Sequence, residues 1–202
     1  MLGEIRFRLI ATDRCLRLRS RDIETVRRES FMKVVVVLAM HGVPPKDFPR
    51  HELIEFMQLH TQLEHGAISG PNAAALEKRC AELDDKIRSW TRTPENDPYQ
   101  HASYLLVSHL RRFSGYEVVV GFNEFCGPGI GEAMDQAVAL GAEKVVVVTP
   151  MMTAGGEHSE VDVPRLVQEA RGRHPGISIV YAWPFEPAHV AEFLAKHMAR
   201  FL

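Results

Sequence analysis

The chain is 202 residues long, with 46% apolar and 25% charged side chains and a formal net charge of -2. These are globular values for one domain large enough to bury a core, and the near-neutral balance gives no reason to expect nucleic acid or an anionic membrane as partner. No apolar run approaches the roughly 20 residues of a membrane span. Three scattered cysteines, Cys15, Cys80 and Cys126, make neither a zinc motif nor a disulfide framework, so a reducing, cytoplasmic setting is expected.

Residues 1–31 differ from the rest, with eight arginines, no lysine and five acids. The acids argue against a transit peptide and no apolar core marks a secretory signal. The segment reads as an N-terminal extension with no catalytic part, a basic docking arm being the alternative. The domain proper is expected over 32–202. Val34 to Met40 is nearly continuous apolar and reads as a buried first strand. It runs into His41-Gly42-Val43-Pro44-Pro45, whose prolines end the ladder and leave His41 at the strand's carboxyl end. A helical hairpin over about 50–95 follows, its second helix marked by Leu76, Cys80, Leu83, Ile87 and Trp90 at alternating four- and three-residue steps. Its histidines, His51, His60 and His65, share no metal-binding spacing and read as solvated surface.

A helix is expected over Tyr99 to Phe113 and a second strand over Tyr116 to Phe122, which places Asn123 and Glu124 just past its end. After a helix over Gly131 to Leu140, the four valines Val145 to Val148 predict a third strand buried on both faces. It leads through Gly155-Gly156 into Glu157, His158, Glu160 and Asp162, with Asp162 expected to cap a helix that starts near Pro164. A fourth strand over Ile177 to Ala182 ends at Trp183-Pro184, and a last helix runs from about Pro187 to Phe201. Buried strands alternating with helices imply an α/β fold of three layers around a four-stranded parallel sheet, flavodoxin-like, with the hairpin inserted after the first strand. In such a sheet His41, Glu124, the 153–160 loop and Trp183 all emerge at one edge, which is where open α/β sheets build their sites.

No GxGxxG follows the first strand, no GxxxxGK[ST] is present, and no GxSxG elbow supports a hydrolase. What remains at the edge is two imidazoles and several carboxylates, a set that ligates a divalent transition metal or accepts a proton. Few protein ligands and open positions suit delivery of a metal better than a structural role.

The blocks VVVVLAMHG, VGFNE and VVVVTPMMTAGGEHSEVDVP resemble the small sirohydrochlorin chelatases of the type II chelatase superfamily, to which protohaem ferrochelatase also belongs. The resemblance covers roughly Met32 to Leu202 outside the hairpin. It implies a chelatase-like fold and an enzyme that inserts Co(II) or Fe(II), as substrate and with no organic cofactor, into a tetrapyrrole such as sirohydrochlorin. It implies further that His41 and His158 ligate the metal and accept pyrrole protons, that Glu124 is the acid beside them, and that Glu157 or Glu160 adds a carboxylate to the metal. Short forms of the family act as homodimers, so a homodimer is implied. His41-Gly42-Val43-Pro44 stands where the small enzymes usually read HGS, which is closer to the ferrochelatase style. Lys46 and Arg50 are the candidates for substrate carboxylates and Trp183 for stacking on the macrocycle, while Met151 and Met152 read as core. A non-catalytic metal or tetrapyrrole carrier is the alternative.

Overall fold

Four short β-branched segments form the strands of one parallel sheet: β1 (Val34–Met40), β2 (Glu117–Phe122), β3 (Lys144–Val148) and β4 (Ser178–Tyr181), in the order β2-β1-β3-β4. This is a computed structural model, and it describes residues 32–64, 66 and 72–202. The extension expected over 1–31 lies outside the described residues, as does His65. The helices are α1 (Arg50–Glu64), α2 (Ala73–Arg88), α3 (Pro98–Ser114), α4 (Ile130–Ala139), α5 (Val163–Arg173) and α6 (Pro187–Met198), so each expected element is present within a few residues of its expected bounds. No helix among the described residues is long and apolar enough to cross a membrane.

Alternation along the strands sends side chains to two layers. Val35, Val37, Val145, Val147 and Ile179 pack against Ala133, Met134 and Ala137 of α4 and Val163, Val167 and Ala170 of α5. Val36, Leu38, Val118, Val120 and Phe122 face the other way, toward Val107 of α3. β1 sits between β2 and β3 and is buried on both faces. The third strand departs from expectation. Val145 and Val147 are fully buried, but Val146 and Val148 on the opposite face are only half-buried, and Val180 of β4 beside them is 39% exposed. The reason is the cover: α3 packs over β1 and β2, while α6 buries none of its residues.

The hairpin carries its own small core of Phe56, Leu59, Cys80, Leu83 and Ile87, which also takes in Phe48 and Phe125 from the loops after β1 and β2. Two ion pairs across it, Arg79 to Glu55 and Lys86 to Glu52, tie its helices together. Its apolar stripe is thus spent partly on itself and partly on the carboxyl edge of the sheet.

Candidate metal centre

The loops after β1 and β2 are drawn together because the parallel ladder continues past the strands. The amide of Asn123 donates to Met40 O at 2.8 Å, and that of Glu124 donates to His41 O at 2.9 Å. At this approach only glycine fits position 42. Its φ is +101°, and a Cβ there would lie 1.9 Å from Glu124 O. The neighbouring Phe125 is held at φ 56°, a left-handed conformation that costs a residue with a Cβ about 1–2 kcal/mol. Its buried ring packs edge-on to Phe56 of the hairpin. His41 is half-buried; its amide donates to Tyr99 Oη at 3.3 Å, and its Nδ1 lies 2.6 Å from Gly42 O. A carbonyl can only accept, so Nδ1 carries the proton and, in the neutral ring, Nε2 keeps its lone pair for a ligand.

The third strand end reaches the same point by another route. After β3 the chain turns at Gly155-Gly156, where the Gly155 amide donates to Glu160 Oε1 at 3.0 Å. It then enters a π-helical turn, His158–Asp162, that runs directly into α5. Wide turns of this kind recur at functional sites because they re-aim one side chain without breaking the helix. Tyr181 Oη donates to Ser159 O at 3.0 Å and pins the turn to β4; burial pushes that phenol up to about 12, so it stays a donor.

The turn corrects the expected role of Asp162. Asp162 has helical backbone angles and makes no side-chain cap bond, because the helix continues back through His158. One turn on from the histidine, its Oδ2 instead lies 2.7 Å from His158 Nδ1 and accepts from Asn123 Nδ2 at 3.1 Å. Burial alone would raise this carboxyl, but the bonds from His158 and Asn123 outweigh it and hold the group below the usual carboxylate value. Asn123 Nδ2 also lies 2.9 Å from His158 Nδ1, but the charged carboxylate is the nearer and stronger partner; with the proton on Nδ1 facing Asp162, the Asn123 amide donates to Asp162 and Nε2 of His158 keeps the free lone pair.

The two imidazoles meet edge to face, with ring centroids 4.6 Å apart and planes at 85°. His158 Nε2 is 3.8 Å from Glu124 Oε1. Among the described residues, His41, Glu124 and His158 form the one group that could hold a metal, their ligand atoms all lying within 4.8 Å of one another. Around an ion bound at 2.0–2.1 Å in a tetrahedron, ligand atoms stand about 3.3 Å apart. The triad is therefore somewhat wider than a closed site, half-buried, and occupies only part of a coordination sphere.

The other candidates lie elsewhere. Glu157 and Glu160 are exposed and outside the triad, Glu160 closing the glycine turn instead. Lys46 and Arg50 are exposed where the loop enters α1. Trp183 stacks on Tyr181 at 6.0 Å and meets Phe185 edge-on. Met151 packs against the core under α4 and α5, as expected, and with Met152 it lines a hollow beside His158. His60 is half-buried and stacks on Phe56, in place of the solvated position expected of it. A cleft of about 430 Å³ runs between the hairpin and the edge, from Phe56, His60 and Leu63 to Asn123, Glu124 and Asp162. Sequence reasoning left out Asn123 and Asp162 as site residues; the signal for Asp162 was its spacing of four from His158 on one helix face.

The CbiX family model matches residues 93–200, more than half of the chain. A sirohydrochlorin cobaltochelatase from Methanothermobacter thermautotrophicus is 36% identical over 67 residues, covering 32% of this chain and 46% of that protein. Another from Saccharolobus solfataricus is 46% identical over 50 residues, covering 25% and 38%. One from Priestia megaterium is 36% identical over 63 residues, covering 31% and 20%. The matched segment thus spans less than half the length of these curated relatives. Among solved structures, the sirohydrochlorin chelatase SirB from Bacillus subtilis subspecies spizizenii, in complex with cobalt, aligns at 18% identity and a TM-score of 0.38 over 76% of this chain and 44% of that one. A cobalamin (vitamin B12) biosynthesis CbiX protein from Marinobacter aquaeolei VT8 aligns at 15% identity and a TM-score of 0.41 over 83% and 98%.

Proposed function

Because the chain belongs to the CbiX family, we propose that it is a chelatase that takes a divalent metal, Co(II) or Fe(II), at the His41–Glu124–His158 triad and inserts it into a sirohydrochlorin-type tetrapyrrole. The observation that carries this reading is the meeting of two imidazoles, each with its Nδ1 engaged by an acceptor, with Glu124, their ligand atoms all within 4.8 Å of one another. Insertion releases two pyrrole protons as the metal enters. On this reading each imidazole gives up the metal from Nε2 and takes a pyrrole proton at the same atom, so two metal–imidazole bonds, the metal–Glu124 bond, any water still on the ion and two N–H bonds of the macrocycle exchange for four metal–nitrogen bonds within the macrocycle and two imidazolium N–H bonds. The charge balances, and neutral imidazole has a basicity near the working pH for the proton step. Asp162 Oδ2, 2.7 Å from His158 Nδ1, holds the ring in orientation through the exchange. Three protein ligands leave positions open on the ion for the incoming macrocycle.

The homodimer implied by the resemblance belongs to the same proposal. In α6, Phe193, Leu194 and Met198 are 54–57% exposed and no residue is buried, so the chain retains apolar surface for a second copy to cover. Sedimentation should give twice the chain mass; a monomer at micromolar concentration would remove this part.

The activity is tested with purified protein, sirohydrochlorin and Co(II) or Fe(II), following the macrocycle's absorption. Insertion faster than the spontaneous rate, lost in both His41→Ala and His158→Ala, is the expected result. Metal binding with no acceleration would make the protein a carrier.

A further inference from the structure

The hairpin insert ends in two arginines that reach out of it and into the site loops. Arg88, the last residue of α2, donates from Nη1 to Cys126 O at 3.0 Å and from Nη2 to Asn123 O at 3.1 Å, while its Nε is paired with Asp84 at 2.7 Å. Arg92, one turn further on, is 7% exposed and paired with Asp97, which is fully buried. Its Nη1 donates to Val43 O at 3.0 Å and to Asp97 Oδ2 at 2.5 Å; its Nη2 donates to Ile87 O at 2.8 Å and to Phe125 O at 2.5 Å. Asp97 in turn caps α3, its Oδ1 accepting from the Gln100 amide at 2.9 Å. One guanidinium therefore holds the loop after His41, the loop after Glu124, the end of the hairpin and the start of α3. The other holds the carbonyls on either side of Glu124 and Phe125.

These four carbonyls lie in the two loops after β1 and β2, which need holding. Phe125 sits in the left-handed region, and Glu124 O approaches Gly42 too closely for any side chain there. No regular ladder partners the carbonyls of Val43, Phe125 and Cys126; Val43 O keeps only the weak Cys126 Sγ donor at 3.6 Å besides Arg92, and the carbonyls of the buried Phe125 and Cys126 rely on the guanidinium forks. The loops' spacing sets the distance from the His41 ring to Glu124, and hence the width of the triad.

We propose that Arg92 and Arg88 are positioning residues for the metal triad, and that the hairpin acts as a clamp on the carboxyl edge in addition to walling the cleft. The inference rests on the metal-binding reading of the triad. Arginine is required at 92 because a lysine ammonium keeps the charge beside Asp97 but cannot span acceptors on three segments from a planar fork.

The test is Co(II) titration of the whole protein, without macrocycle, reading affinity and the visible d–d band, with thermal midpoints taken in parallel. Variants are Arg92→Lys, Arg88→Gln, His158→Ala and Ile179→Ala, the last a core truncation on β4. The clamp predicts Co(II) affinity lowered about 10–100-fold in Arg92→Lys and about threefold to tenfold in Arg88→Gln, each with an altered band envelope. Ile179→Ala should lose thermal stability and keep the wild-type affinity and band. Should Arg92→Lys fail to fold, Arg88→Gln decides, its side chain being 28% exposed. Wild-type affinity and band shape in the arginine variants would overturn the clamp while leaving the triad standing. So would a loss in Ile179→Ala equal to theirs. A wild-type protein that binds no more Co(II) than His158→Ala would overturn the triad reading and the clamp with it.

Discussion

The two histidine-bearing loops bring the same donor atom to the same point by different means. His41 stands on a loop held at its main-chain atoms: ladder amides from Asn123 and Glu124, a glycine at a position where a Cβ would meet Glu124 O, and a buried guanidinium bound to Val43 O. His158 stands on a turn fixed by side chains, Asp162 and Asn123 at its ring and the Tyr181 hydroxyl at Ser159 O, at the end of a segment, Thr153–Glu157, that is exposed throughout. The first imidazole is set by the fold and the second by a few polar bonds that can be broken singly. On the proposed reading, in which the site binds a metal and releases it, this division gives one rigid donor and one adjustable.

The comparison breaks most severely at Gly42. Alanine there meets Glu124 O and a left-handed backbone together, which should cost about 2–5 kcal/mol from strain and overpacking. A large fall in thermal midpoint is expected, whereas alanine at Gly155, where φ is also positive but nothing lies within 4 Å, should cost less. On the adjustable side, Asp162→Ala removes the charged partner of His158 Nδ1, leaving only Asn123 there, and should weaken Co(II) binding about 10–100-fold while leaving the fold intact; isothermal titration gives the number.

The same residue carries a pH signature. Because its folded carboxyl is held below the ordinary value of 3.8, Asp162 stabilises the protein above that pH, and the contribution is lost as pH falls through the lower folded value. The acid limb of a stability–pH curve should be shallower in Asp162→Asn, and an unchanged limb would contradict the assignment. Tyr181→Phe should cost about 0.5–1.5 kcal/mol, one hydrogen bond, with metal affinity changed only slightly. Smallest of all, Glu157→Gln should leave affinity within about twofold, since the side chain is exposed and outside the triad.

Much of this was legible in the residues. Strand ends are marked by apolar runs that stop at polar groups, so His41, Glu124 and His158 fell at one edge once the sheet was taken as parallel. Pro164 hid the rest. It reads as a helix start and makes Asp162 a cap, but a π turn carries the helix back to His158 and turns the same carboxylate onto the imidazole. The valines of β3 hid a second difference, because apolar content alone does not say whether a helix covers both faces, and α6 buries nothing. Arg88 and Arg92 show in the sequence only their acidic partners, Asp84 four residues back and Asp97 five residues on, since the main-chain carbonyls that the same guanidinium groups serve leave no mark there.

The shared ion is the central claim, and X-ray absorption of the Co(II)-loaded protein addresses it most directly. Two imidazoles and one carboxylate in the first shell, falling to one imidazole in His41→Ala and again to one in His158→Ala, is the result this account predicts. A first shell that keeps both imidazoles when either histidine is removed would contradict it.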